Sequence, residues 1–167
     1  MRARRAEEVK DVKWKYGEQI DPSAVAEFEH LKGIELPSSF KAIVIANDGS
    51  VPSPSAVAFP DAGRSTGYDI IGIGQLYRFV GHEESGWSIT EANDAYAEEY
   101  PGLIFFSEAA NGWGFAFDYR SCTSDPAIVL VRFGDGGGDV VPIAGSFDAM
   151  MDAVMDDGER PASFPAA

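Results

Sequence analysis

Hydrophobic positions spaced for helices give way, along the chain, to alternating or continuous apolar runs, and then return to helical spacing near the end. Asp21-Pro22 opens the first helical stretch. The aspartate can accept from first-turn amides that have no partner, and a proline there lacks an amide that would go unsatisfied anyway. Val25, Phe28 and Leu31 are assigned to the buried face, and Gly33 stands where a left-handed helix end is wanted. After Ile34 and Leu36 a second helix opens at Pro37 and runs to about Ala46, with Phe40, Ile43 and Val44 spaced for burial and Asn47-Asp48-Gly49 as its stop. The two helices are expected to pack as a hairpin.

Residues 50–67 are rich in serine, proline, alanine and glycine, which predicts a long surface loop with one edge strand at 56–59. Residues 68–73 read as a strand, with Gly72 and Gly74 marking a bulge or a close backbone approach, followed by a short helical turn over 75–79. Residues 88–100 are helical by composition: Ile89, Ala92, Tyr96 and Tyr100 share a face, and Glu91, Asp94, Glu98 and Glu99 point to solvent. Runs at 103–106, 113–119 and 128–133, separated by turn clusters, predict an antiparallel meander. A glycine-rich turn leads into a strand at 140–143, and Gly145-Ser146 begins a last helix carrying Phe147, Met150, Met151 and Val154.

Helices at both ends with strands bunched between them define an α+β class in a single domain. Residues 1–17, dense in mixed charge, form a basic arm that is frayed or a loosely docked helix carrying Trp14 and Tyr16; the domain proper spans 18–157, and 158–167 are expected to be a disordered tail.

Charge changes this picture more than composition does. The net charge is −14, but up to Lys15 six basic residues face three acidic ones, leaving −17 on the remainder. Such a body repels phosphate backbones, which argues against nucleic acid as partner, and attracts a basic protein in a salt-sensitive way; simple solubility is the plainer reading of the same charge. The single cysteine, Cys122, excludes an intrachain disulfide and fits a reducing compartment, and neither a signal peptide nor an apolar membrane span is apparent, so a cytoplasmic protein with no membrane partner is expected.

Candidate chemistry is thin. His30, near the end of the first helix, suits the negative end of the helix dipole. His82 beside Glu83 and Glu84 is a weak metal signal without a second histidine at ligand spacing, and Asp135 and Asp139 lack the further oxygen ligands of a calcium loop. Phosphate-loop and zinc-helix patterns are absent from the sequence. No catalytic residue, metal or cofactor is therefore expected. Trp113 is read as core, and Trp87, between Gly86 and Ser88, as an exposed aromatic anchor of the sort that interfaces use.

Three segments resemble one family. Residues 34–43 with Asn47-Asp48-Gly49, residues 105–118 around Asn111-Gly112-Trp113-Gly114, and residues 139–147 are similar in order and spacing to the SUKH superfamily, which joins fungal Smi/Knr-type cell-wall-assembly regulators with bacterial immunity proteins. Asp48 departs from the family's more usual asparagine-glycine pair, and Gly49 is expected to serve the turn one step later. The resemblance covers about 21–154 and implies a largely antiparallel twisted sheet flanked by the helical hairpin, a middle helix and a C-terminal helix. It gives structural roles to Leu36, Pro37, Phe40, Asn47, Gly49, Trp113, Asp118, Pro142 and Phe147. It further implies a protein that catalyses nothing and works by binding: an immunity protein blocking a toxin, often a nuclease or a deaminase, or an intracellular regulatory scaffold. Glu83, Glu84, Trp87, Asp135 and Asp139 are the contacts assigned to a basic toxin domain.

Overall fold

The first helix, α1 (Pro22–Lys32), begins where Asp21 accepts from the amide of Ser23 and ends at Gly33, whose φ of 67° allows its own amide and that of Ile34 to close on the last carbonyls. Val25 and Phe28 are buried as expected, whereas Leu31 is 67% exposed. Steps of three residues turn 300°, so each falls 60° short of a full circle, and by Leu31 the series has left the buried stripe. The second helix, α2 (Ser38–Ala46), follows Pro37 and buries Phe40 and Val44. Glu29 ties the two helices, accepting from the backbone amide of Leu36 at 2.8 Å and the Nζ of Lys41 at 3.3 Å.

The computed structural model describes residues 11–81, 88–134, 138–156 and 158–161, and among them eight strands and two further helices join α1 and α2. A small sheet pairs β1 (Lys13–Lys15) with β2 (Val51–Ser53). The large sheet is antiparallel throughout, in the order β3 (Ala56–Pro60), β4 (Tyr68–Leu76), β5 (Leu103–Ala109), β6 (Gly114–Asp118), β7 (Ala127–Arg132), β8 (Asp139–Ala144). Its edge strands β3 and β8 approach each other, so the sheet curls almost into a barrel. Past the last helix, α4 (Phe147–Asp152), the chain returns to the free edge of β3, where Ala56 and Met155 exchange backbone hydrogen bonds.

Three parts of the chain differ from the expectations set by the sequence. Lys13–Lys15 is a strand, neither frayed nor helical. Residues 50–67 hold two strands, and Pro52 is tolerated in the first of them, opposite Trp14. Residues 75–79 form no helical turn: β4 continues to Leu76 across a register shift against β5, and Tyr77 still donates to the carbonyl of Phe106. The shift lies where the paired glycines place a close approach, for a Cβ on Gly74 would meet the carbonyl oxygen of Glu108 at 2.9 Å.

The alternation of strand residues divides the core into two layers. Phe106 and Phe117 pack on α2 and α4, with Phe40 making edge contacts to Phe106, Phe117 and Phe147 at 5.0–5.7 Å between centroids. Phe105 points the other way, toward the helix α3 (Ile89–Tyr96). Helices therefore cover both faces of the sheet.

Candidate functional surface

The helix α3 combines an exposed outer side with a base fixed to the sheet. Its N-terminus is closed by a capping box: the Ser88 hydroxyl accepts from the Glu91 amide, and the Glu91 carboxylate accepts from the Ser88 amide. Ile89 and Ala92 are buried beneath it. Asn93, also buried, locks the helix to β5; its Nδ2 donates to the carbonyls of Ile89 and Phe105, and its Oδ1 accepts from the Phe105 amide at 2.8 Å. Tyr96 stacks on Phe133 at 4.9 Å and lies against Phe105. Replacing Asn93 with leucine leaves buried backbone groups unpaired, so the fold should lose about 2–3 kcal/mol. Urea unfolding would measure that loss, and hydrogen exchange should show the amides of α3 opening first.

On this base the outer side of α3 is acidic. Glu91 and Asp94 are exposed, as are Glu98 and Glu99 just beyond the helix end, in the solvent-facing positions that the sequence assigns them. Glu108 at the end of β5 is exposed too, and its charge helps burial to raise the phenols of Tyr96 and Tyr77 above the ordinary tyrosine value. Lys32, from the end of α1, is drawn to this side and meets Asp94 at 3.1 Å. Carboxylates are not confined here, since Asp148 and Asp152 are exposed on α4 beyond the opposite face of the sheet.

Of the sequence-assigned contacts, Glu83, Glu84, Trp87 and Asp135 lie outside the described residues, as does His82. Asp139 is exposed at the start of β8. Their anchors are informative. Residue 88, which follows the first of these segments, caps the N-terminus of α3. Phe133 packs on Tyr96, and the amide of Gly138 donates to the Tyr100 hydroxyl at 3.1 Å, so both flanks of residues 135–137 are tied to the other end of the helix. Residue 88 on the one hand and Phe133 and Gly138 on the other thus lie at opposite ends of α3, about 12 Å apart by the helical rise.

The residues given structural roles are spread over the core, the ends of α2 and the strands of the large sheet. Leu36, Phe40 and Phe147 are fully buried. Pro37 and Asn47 bracket α2, and Gly49 adopts a φ of 72°, taking the turn one step after Asn47. Trp113 is half-buried between Phe59 and the Arg132 guanidinium, which lies 4.8 Å from its ring. Arg120 grips Asp118 through both carboxylate oxygens, and those hydrogen bonds hold the carboxyl below its ordinary value. Pro142 is exposed in β8.

Asp48 turns out to do more than vary a turn. It is 1% exposed, and its carboxylate accepts from the backbone amides of Phe79 at 2.9 Å and Val80 at 3.1 Å, fixing the chain that leads toward residue 82. Nothing in the sequence announces a contact over 31 residues.

Among the described residues there is no group of three or more histidine, cysteine or carboxylate side chains that could hold a metal ion. Nor is any described helix long and apolar enough to cross a membrane. The depressions described are open to solvent and lie at junctions between elements.

A sheet covered by helices on both faces, with its capped and pinned middle helix carrying carboxylates outward, makes an α+β architecture in a single domain. A model of the SMI1/KNR4 family (SUKH-1) matches residues 19–153, and the chain belongs to that family. Comparison with curated proteins gave no match.

Proposed function

We infer that this protein is a cytoplasmic immunity protein that binds and neutralises a bacterial toxin domain, a nuclease or a deaminase, without catalysing a reaction or using a cofactor. Membership in a family that includes immunity domains supports this reading. The observation that carries it is the acidic outer side of α3, held on a base of Asn93, Tyr96 and Phe105 that leaves little freedom to the carboxylates' backbone. Enzymes acting on nucleic acid present basic clefts, and a fixed array of carboxylates steers toward such a surface and covers it. Glu83, Glu84, Trp87, Asp135 and Asp139 are proposed as further contacts, of which Asp139 is exposed at the start of β8.

The test is co-expression with the product of the neighbouring gene, scored by growth. Rescue of growth and a complex whose Kd rises about tenfold or more between 50 and 300 mM salt would support the reading. A complex indifferent to salt would remove its electrostatic part. Rescue failing while the chain binds an endogenous protein would replace immunity with a regulatory scaffold.

A further inference from the structure

Between the ends of α1 and α3 lies an open slot of about 430 Å³. Its lining is largely apolar, contributed by Ile34, Tyr100, Leu103, Ile104 and Tyr119. Two features make its surroundings electronegative. Gly33 and Ala97, which cap the C-termini of α1 and α3, both line the slot, so the negative ends of two helix dipoles converge on it. Exposed carboxylates are interleaved with lining residues: Glu98 and Glu99 lie between Ala97 and Tyr100, and Glu35 follows Ile34 while its amide donates to the carbonyl of Thr123, another lining residue. Lys32, the cation in the lining, is already held by Asp94.

An apolar depression that favours positive charge around it selects a particular side-chain pattern. The geometry points to this slot as the docking site for one protein segment, an aromatic or aliphatic side chain flanked by lysine or arginine, inserted between the two helix ends. The apolar group displaces water from Ile34 and Ile104, and the flanking cations meet the carboxylates and the helix C-termini. This rests on the reading of the protein as a binder of basic partners, and it names where the anchor goes.

The probe is the blocked pentapeptide Lys-Lys-Phe-Lys-Lys, titrated against the full chain and followed by amide chemical shifts. Saturable shifts at Ile34, Ala97, Gly102 and Thr123 are expected, with binding at least about tenfold weaker when alanine replaces the phenylalanine, the effect of losing one buried aromatic anchor. Ala97→Trp fills the slot from an exposed position and should abolish those shifts while the rest of the spectrum is kept. Shifts of equal size around Asp148 and Asp152, insensitive to the phenylalanine, would overturn the slot while leaving the charge attraction standing, and an absence of any shift would overturn it as well. Growth rescue separates this from the immunity reading: if the wild-type chain rescues and Ala97→Trp rescues equally, the slot is not the docking site although the function holds.

Discussion

Phe40→Ala should destabilise the protein by about 3–5 kcal/mol, the usual range for truncating a fully buried aromatic ring. Phe40 has no exposed surface and joins α2 to the sheet and to α4 through edge contacts with Phe106, Phe117 and Phe147. Alanine leaves a void that three other aromatic rings cannot fill without leaving their own contacts. For a chain of this length the loss corresponds to a fall in Tm of roughly 10 °C. Leu31→Ala, in an exposed position one helix away, should change stability by less than about 0.5 kcal/mol. Urea denaturation of the two variants measures both, and a comparable loss at the two sites would contradict the assignment of the core.

The second large effect is expected at Asp48. Asp48→Ala leaves the amides of Phe79 and Val80 without their acceptor and should cost about 2–4 kcal/mol; Asp48→Asn, whose carbonyl can still accept, should cost less. The pH dependence has a definite sign. Burial pushes the Asp48 carboxyl above its ordinary value, outweighing the hydrogen bonds from Phe79 and Val80 and the charge of Arg78 that pull it down. A folded pKa above the unfolded one means that the folded state holds the proton more tightly. That contribution is complete below the unfolded value of about 3.9 and is lost as pH rises through the folded one. The advantage of the wild type over Asp48→Asn should therefore be larger at about pH 3 than at pH 7. An advantage that instead grew with pH would show that the hydrogen bonds, not burial, dominate at this carboxylate.

Much of the fold is legible locally. Asp21-Pro22 and Gly33 bound α1 because each supplies what a helix end lacks, and the turn clusters among the late strands mark the antiparallel meander that the structure forms. What escapes the sequence is pairing over distance. The pattern of Lys13-Trp14-Lys15 is too short to read as a strand until β2 lies beside it, and Pro52 masks that partner. The irregularity between Ile73 and Leu76 breaks the period of two, so that a continuing strand resembles a helical turn. Leu31 shows the converse error, where a spacing of three drifts off the face it began on.

The surface is legible in a different measure. Glu91, Asp94, Glu98 and Glu99 can be placed in solvent from the helix period alone, but only the fold shows them raised on the side of the sheet away from α2 and α4. The slot beside them could not be read at all, because its lining comes from three separated stretches, 32–34, 93–104 and 119–123. Asp48 likewise carries a role that its neighbours in sequence do not share.

Moving the same amount of charge on each side of the sheet would test the surface assignment most directly. Glu98→Lys/Glu99→Lys alters the side of α3, and Asp148→Lys/Asp152→Lys makes an equal change on α4. Both pairs would be assayed for growth rescue against the neighbouring gene's product and for the affinity of the complex at low salt. The first pair should weaken the complex by about a hundredfold or more and lose rescue, as for like charges brought together in an interface, while the second should change affinity only a few-fold through the long-range field. Equal losses from the two pairs, or retention of rescue by the first, would contradict the assignment of α3 as the face that meets the partner.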